Sequence, residues 1–573
     1  SLSLRREGGG VMAECKSFAI EVGKKDKGKQ LVIVSDRTLK TEIHRDRIDV
    51  NSANARKRLL NAVSQKSQVD DAELKALENA LIKEADHVLQ QQDNSFAMFD
   101  LDSYERPNST EILLGLCEDI ELFHTADSDT YALIDEDSAL KTFQIRKAEF
   151  KSWLTKQFFE RQGKAPPAQA LQDSINTLAA RAEHEGEERE VFLRTCKQGN
   201  AIYVDLANSR WEVVMITPAG WRVLKQSPIR FRRTKSMLAL PKPEPNGNLT
   251  DLTRLLNISV SDWPLVQAWI LACFNSEIPY PVLCLSGQQG TSKSTTAKTL
   301  RSLVDPNKAP IRSAARSERD LFISAENNWI LPFDNLSRIS PSMSDSLCRL
   351  STGGAFSTRQ LYADGEEAIF NARRPVIITG IEEVVTQADL LDRSLLVELE
   401  PIAPEDRITE TEFNARLEEI YPSVIGIIFD LLALGLSNEP NTKLQSPPRM
   451  ADFATWAYAC CPSPEQGDEF LAAYNDNLLR GSRLTLESDP VAMAIIKTVD
   501  TNGGQWSGTI SNLSEILSSP LYSLRNSDLV NSPKALGGYV KRIIPALKAI
   551  GIEVTNDRNS QKRITTLTRI PVF

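Results

Sequence analysis

The stretch that decides the fold is Pro281-Val-Leu-Cys-Leu-Ser-Gly287-Gln-Gln-Gly290-Thr-Ser292-Lys293-Ser294-Thr295-Thr-Ala-Lys-Thr-Leu300. An apolar strand runs into a glycine-containing loop, and the pattern predicts a helix starting at the lysine. That order is the context of a Walker A phosphate loop. Backbone N–H groups of the loop and of the helix N-terminus then face a polyphosphate, and the helix dipole favours its charge. The residues assigned to the nucleotide are Gly287, Gln288, Gln289, Gly290, Thr291, Ser292, Lys293, Ser294 and Thr295. Lys293 reaches the β- and γ-phosphates and Ser294 gives a hydroxyl to Mg²⁺, with Thr295 a weaker metal candidate. The cofactors expected are therefore ATP and Mg²⁺. One position departs from the pattern: the residue before the lysine is usually glycine, and here it is Ser292. A serine fits there if the position needs no glycine-only backbone angle. The bland alternative is a Ser/Gly-rich turn before an ordinary helix. Strand, both glycines, lysine and serine all standing at the required spacing argue against it.

A phosphate loop needs a carboxylate at the end of a neighbouring strand to help hold the metal. Asn328-Trp-Ile-Leu-Pro-Phe-Asp334-Asn335 supplies an apolar strand ending in an acid, with Pro332 suiting an edge or a bulge. Asp334 is the expected Mg²⁺-associated acid, with Ser294 the other metal ligand; a surface cap is the alternative. Where many ring ATPases carry a glutamate after this aspartate, the chain has Asn335. An amide orients water but accepts no proton, so hydrolysis is slow or another carboxylate, Glu326, Glu382 or Glu383, serves as base. The next strand, Arg374-Pro-Val-Ile-Ile-Thr379, ends in a candidate sensor hydroxyl, Thr379. Phe356 to Phe370 reads as a hairpin turned at Asp364-Gly365, from which Arg359 either meets a nucleic-acid backbone in a channel or forms a surface salt bridge. Asp389-Leu-Leu-Asp392-Arg393 precedes a further apolar strand. In ring-forming ATPases an arginine there reaches a neighbour's γ-phosphate. Arg393 is assigned that role against an intrachain pair with Asp389 or Asp392, with Arg338, Arg349, Arg373 and Arg407 in reserve.

Outward from this core, the 573 residues are too many for one ordinary core, and 41 % hydrophobic with 25 % charged residues is a globular composition. A net charge of -9 argues against an overall basic coat but not against a basic channel. The eight cysteines and four histidines form no metal-ligand spacing, so zinc is not expected and the thiols suit a reducing cytosol. No signal peptide and no run of eighteen apolar residues stand out, so a cytoplasmic protein without membrane contact is expected. The chain begins without methionine, and Met12 is a plausible internal start. The fold class expected is α/β, a P-loop AAA+-like ATPase core with an α+β N-terminal region and a C-terminal helical and winged-helix-like domain. Boundaries are placed at 1–130 for an accessory α+β domain and 131–240 for a pre-ATPase α+β domain. A stiff linker follows at 241–254, then the ATPase at 255–440 and the C-terminal domain at 449–573. The linker rests on Pro241-Lys-Pro-Glu-Pro-Asn-Gly-Asn. Nucleic-acid candidates are Arg230, Arg232, Arg233 and Lys235, with Lys225 beside them, and the tail cations Lys541, Arg542, Arg558, Lys562 and Arg563. Trp211, Trp221 and Phe231 are potential base-stacking rings, although aromatics at strand spacing are more often core.

As a set, these pieces resemble the ATP-binding, primase-helicase-like proteins of bacteriophages and integrated mobile elements, relatives of superfamily 3 helicases in the AAA+ group. Besides the loop and Asp334-Asn335-Leu-Ser337, the matching residues are Asp305-Pro306, Leu347 to Gly354, Arg359-Gln-Leu-Tyr362, Arg374-Pro-Val-Ile, Asp389 to Arg393 and Arg449 to Phe453, and the segment from Ile202 to Arg233 is similar to the domain preceding the ATPase in such proteins. The likeness covers roughly 130 to 480. It implies a homo-hexamer or related ring that engages single- or double-stranded DNA through channel hairpins, as a helicase or translocase, with Asn335 a trait of the group. No polymerising acid cluster is visible in the first 130 residues. Two further readings stand beside the motor. One is a nucleotide-gated oligomeric switch or phage-defence effector with little unwinding, which Asn335 favours. The other is a small-molecule kinase, which lacks a recognisable acceptor lid here.

Overall fold

The computed structural model describes residues 3–7, 10–14, 18–22, 30–36, 42–48, 53–66, 75, 78–79, 81, 107–136, 139–359, 367–381, 384–519, 522, 532–558 and 563–570. Contacts divide it into two units, 1–120 with 151–178, and 121–150 with 179–573. In the first, β1 (Ser3–Glu7), β2 (Gly10–Glu14), β3 (Phe18–Val22), β4 (Gln30–Asp36) and β5 (Glu42–Ile48) form an antiparallel sheet in chain order. β3 and β4 pair antiparallel, and the lysine-rich stretch between them lies outside the described residues. Helix α1 (Ala53–Lys66) buries Leu59, Leu60 and Val63, three apolar residues on one face of a charged helix. Helix α2 (Ser109–Gly115) starts at a reciprocal cap between Asn108 and Glu111.

The second unit opens with β6 (Glu121–His124), β7 (Thr130–Glu136) and β8 (Ala139–Gln144); α3 (Ala148–Gln162) and α4 (Ala168–His184) fall largely in the first unit, and β9 (Glu187–Glu188) completes the sheet in order β8-β7-β6-β9. A four-stranded antiparallel sheet follows, β10 (Thr195–Gln198), β11 (Ala201–Asp205), β12 (Val213–Thr217) and β13 (Gly220–Leu224). Period-2 alternation buries Ile202 and Val204 opposite Ile216 and Val214. Residues 241–248 lie against the helix α11 described below: the Glu244 N–H donates to the Pro422 carbonyl at 3.0 Å. That approach needs Gly426, since a Cβ there would stand 1.7 Å from the Glu244 carbonyl oxygen. Helix α5 (Leu249–Leu255) starts at once after it, capped by Asn248, and α6 (Trp263–Ala272) precedes the central sheet.

That sheet is parallel throughout: β14 (Val282–Ser286), β15 (Leu331–Leu336), β18 (Val376–Gly380) and β19 (Ser394–Glu398), in spatial order β15-β18-β14-β19. Its strands read as unbroken apolar runs because both faces are covered. Leu283, Leu285, Ile377, Leu395 and Val397 pack on one side with Ala297 and Leu300 of α7 (Lys293–Ser302). Val282, Cys284, Val376 and Ile378 pack on the other with Leu321 and Phe322 of α8 (Glu318–Asn327) and Leu347 and Leu350 of α9 (Pro341–Thr352). The hairpin β16 (Gly354–Arg359) and β17 (Glu367–Ala372) joins α9 to β18, and α10 (Ala388–Leu391) leads into β19.

Helix α11 (Glu410–Asn438) is long and apolar enough to cross a bilayer, but Val424, Ile425, Ile428, Phe429, Leu432 and Leu436 fill the same core as α7. Burial inside the fold accounts for its composition. Helices α12 (Ala451–Ala459) and α13 (Pro464–Glu487) follow. The C-terminal segment runs α14 (Pro490–Thr501), β20 (Gln505–Gly508), α15 (Ile510–Leu517), α16 (Pro533–Ala549), β21 (Ile552–Arg558) and β22 (Arg563–Arg569), with sheet order β20-β22-β21. β20 was not anticipated, because only Trp506 of its four residues is buried and so it shows no alternation.

Candidate functional site

The site lies at the carboxyl end of the parallel sheet, where β14 hands over to the loop before α7. Gly287 has φ +143°, and a Cβ there would meet the Leu399 carbonyl oxygen at 2.4 Å, so only glycine fits between β14 and the segment after β19. Buried Thr291 ties the turn by donating from Oγ1 to the Gln288 carbonyl at 3.0 Å. The Asn257 amide braces it from outside, donating to the Thr291 carbonyl at 3.3 Å and the Glu400 carbonyl at 2.6 Å. No sequence signal singled out Asn257. Ser292 holds φ +63°, ψ 23° as the residue before α7. The position does require left-handed backbone, contrary to the condition under which serine was expected to fit, and serine adopts it at a cost glycine would not carry.

Lys293 folds back over this turn, its Nζ donating to the carbonyls of Gly287 and Gln288, each at 2.6 Å. Desolvation holds its pKa below the ordinary lysine value, and Asp334 nearby partly restores it. From the first turn of α7 the Ser294 Oγ donates to the Asp334 carboxylate, 2.8 Å to Oδ1 and 3.0 Å to Oδ2. Thr379 at the end of β18 donates from Oγ1 to Asp334 Oδ1 at 2.6 Å and accepts the Asn335 N–H at 2.8 Å. Helix, acid strand and the strand between them thus converge on one carboxylate. The cleft they surround is about 550 Å³, lined by residues 289–295, Asp334, Asn335, Thr379 and Ile381. Asp334 is the one carboxylate in that lining among the described residues.

Asn335 has a physical reason as well. Its φ is +55°, at the point where β15 shifts register against β18. Asparagine enters the left-handed region more readily than most residues, whereas a glutamate there would be strained. Of the alternative bases, Glu326 ends α8 just ahead of β15, at the opposite end of the sheet from the cleft, and so is placed away from it. Glu382 and Glu383 lie outside the described residues.

Arg393 stands at the amino end of β19, its carbonyl accepting the Val282 N–H at 2.8 Å. In a parallel sheet that is the far end from the phosphate loop, about 16 Å away along a five-residue strand. It therefore cannot serve the loop of its own chain. Its guanidinium pairs with Asp389 at 2.5 Å, and Arg449 bonds Asp389 at 2.8 Å and Asp392 at 2.7 Å. Burial alone would raise the Asp389 pKa, but hydrogen bonds from Arg393 and Arg449 outweigh it and hold the group below its ordinary value. Arg407, one of the reserve arginines, comes within 3.9 Å of where a Gly290 Cβ would stand.

The remaining nucleic-acid candidates are not equivalent. Arg233 bonds Asp205 at 2.6 and 2.9 Å and lies 3.8 Å over the Trp211 ring, a structural clamp. Arg230 is 3.7 Å from Glu121, and Arg232 donates to the Glu326 carbonyl. Lys235, 77 % exposed, lies 3.8 Å from Glu149, and Lys225 nearby in the chain is exposed as well. The rings near them are equally engaged: Trp221 donates to Asp430 at 2.9 Å, and Phe231 is buried. Arg359 belongs to β16, but its side chain lies outside the described residues, as does the hairpin turn.

Beneath the site, Arg194 and Asp305 form a fully buried pair at 3.1 Å. Arg194 also donates to the carbonyls of Asp205 and Leu238, and Asp305 Oδ2 accepts the Trp329 N–H at 3.2 Å. With Arg301 of α7, 3.6 Å from Asp305, this network ties the β10–β13 sheet to the far end of α7 and to the start of the acid strand.

A glycine-turned loop, a lysine and a hydrogen-bonded Ser–Asp–Thr set at the carboxyl end of a parallel sheet define the class: an α/β protein with a polar cleft at that end of the sheet. Residues 249–478 match the family described as the actinomycete integrative conjugative element replication protein, and residues 491–572 match that family's RepA C-terminal domain. A replication protein of a mobile element is the class both matches support. No curated protein matches. Among solved structures the chain is similar to the NrS-1 C-terminal region, in an apo structure of residues 305–718 and in an A-form apo structure of that region. Both share 14 % identity with it over 81 % of this chain and 100 % of theirs, at TM-scores of 0.34 and 0.35, too low to carry an argument.

Proposed function

We propose that the chain is an ATP-hydrolysing, DNA-engaging ring motor of mobile-element replication, built on a P-loop core of the AAA+ type and acting in the cytoplasm. The observation that carries this reading is the convergence of Ser294, Asp334 and Thr379 at the mouth of the Lys293 loop. The strand order supports it too, with the Thr379 strand lying between the phosphate-loop strand and the acid strand. The residues fit a hard divalent cation: the Ser294 hydroxyl and Asp334 carboxylate are oxygen donors, and phosphates and water complete such a shell. When bound, Mg²⁺ would neutralise charge developing on the transferring phosphoryl group.

The loop N–H groups and Lys293 bind and orient the triphosphate. Lys293 exchanges its two carbonyl acceptors for phosphate oxygens. Thr379 fixes the rotamer of Asp334, and Asn335 presents an amide to water. Arg393 leaves Asp389 and faces the γ-phosphate of the next subunit, adding charge in trans. Arg359 on the β16–β17 hairpin is proposed to meet DNA in the channel.

A second reading, the nucleotide-gated switch, is favoured by the single carboxylate in the cleft lining. The two differ in turnover. A motor shows ATPase stimulated severalfold by single-stranded or forked DNA and lost in Lys293→Ala and Arg393→Ala. An ATP-dependent oligomer with no DNA stimulation would replace the motor by the switch.

A further inference from the structure

The C-terminal segment carries a groove that the nucleotide site does not use. It measures about 800 Å³ and opens between the first turn of α15, one face of α16 and the strands β21 and β22. Three cations, Lys534, Lys541 and Arg563, line it, and among the described residues the lining contains no Asp or Glu. In a chain of net charge -9 that concentration runs against composition. All three are exposed, and no carboxylate pairs with them among the described residues. By contrast, Arg569 on the same strand is held by Asp500 at 2.6 Å. Helix α16 carries Lys534, Lys541, Arg542 and Lys548 and no acidic residue at all.

A second observation comes from the backbone. Gly537 and Gly538 sit inside α16 and on the groove, where glycine costs a helix about 1 kcal/mol each relative to alanine. Packing within the fold does not require them. A Cβ on Gly538 would meet nothing within 4 Å, and one on Gly537 only the Ile510 side chain at 3.8 Å. A helix that gives up stability on an open, cationic face does so for something that approaches from outside.

We infer that this groove is a duplex-DNA site, with α16 set toward the major groove and Lys534, Lys541 and Arg563 on the flanking phosphates. The occupant is polyanionic because the lining is cationic without acids. It is duplex rather than single-stranded because among the described residues no aromatic ring lines the groove, and single strands are held by stacking on rings. A helix with its side chains fills a major groove about 12 Å wide, and glycines at the contact let the DNA come close. The inference rests on the reading of the chain as a DNA-engaging protein and is independent of its ATPase chemistry.

The test is fluorescence anisotropy of the full chain without nucleotide, on a labelled mixed-sequence duplex of about 20 base pairs and on its separate strands, across a salt series. The expected result is a preference for duplex. Lys534→Ala with Lys541→Ala should weaken duplex binding about tenfold or more and flatten the salt slope by about 1.8, the share of two phosphate contacts. Gly538→Glu, placed in open space, should abolish duplex binding without lowering the melting temperature. Wild-type duplex affinity in the groove variants overturns the site while leaving DNA engagement intact. A preference for single strands that these variants lose overturns the duplex assignment. No DNA binding by the wild-type chain at low salt overturns the DNA reading itself.

Discussion

At the scale of single residues, two positions beside the cleft each make a prediction. Ser292 occupies φ +63° where glycine is usual. Ser292→Gly should stabilise the chain by up to about 1 kcal/mol, the relief of strain less the added freedom of the unfolded chain, read as a raised melting temperature. Thr379 is buried and serves both Asp334 and the Asn335 N–H. Thr379→Val keeps the volume but leaves that N–H without its acceptor, which costs about 1–3 kcal/mol if the site stays dry. On the proposed mechanism it should lower ATP turnover while Mg²⁺-ATP binding persists, which separate turnover and equilibrium-binding measurements would distinguish. The phosphate-loop residues were legible in the sequence because their spacing is local and their chemistry obligatory. The backbone angle at Asn335 was not, because it accompanies a register shift between two strands far apart in the chain, and that at Ser292 was not, because its residue type alone does not fix it.

At the scale of elements, the ion pairs around α10 set a pH dependence. The Asp389 carboxyl is held below its ordinary 3.8 in the folded chain, so the stability it contributes is complete above that value. It is lost as pH falls through the lower folded value, where the folded state binds its proton last. Denaturation curves of wild type and Asp389→Asn should therefore differ near neutrality and converge below about pH 4. The buried network under α7 predicts a larger effect. Arg194→Ala removes the closer of the two guanidiniums facing Asp305, which is 1 % exposed, leaves only Arg301 at 3.6 Å, and should cost about 3–5 kcal/mol, measured by chemical denaturation. The sequence reading had Asp305-Pro306 only as part of a resemblance. Its partner lies on an element more than a hundred residues away, which no local pattern reveals. Helices and parallel strands were legible from apolar periodicity, while four-residue β20 was not. Arg233 and Trp211 look like a nucleic-acid patch in sequence and are a clamp in the fold. Charge alone does not say which carboxylate lies opposite.

At the scale of the whole molecule, the account requires more than one copy. Arg393 stands at the end of the sheet away from its own loop, so a role at a phosphate is possible only on a neighbour. Mixing Lys293→Ala with Arg393→Ala should restore part of the ATPase that each lacks alone, because mixed interfaces then pair an intact loop with an intact arginine. Sequence could propose that ring through the strand order around Arg393, but one chain carries no interface from which its size is read. The claim beneath all of this is a magnesium-dependent triphosphate site at the loop before α7. Its most direct test is equilibrium binding of ATP to the wild-type chain, Lys293→Ala and Asp334→Ala, with and without Mg²⁺. The account predicts binding by wild type that weakens when Mg²⁺ is withdrawn, is lost in Lys293→Ala and loses its Mg²⁺ dependence in Asp334→Ala. Binding by wild type that neither substitution nor chelation alters, or no binding at all, would contradict it.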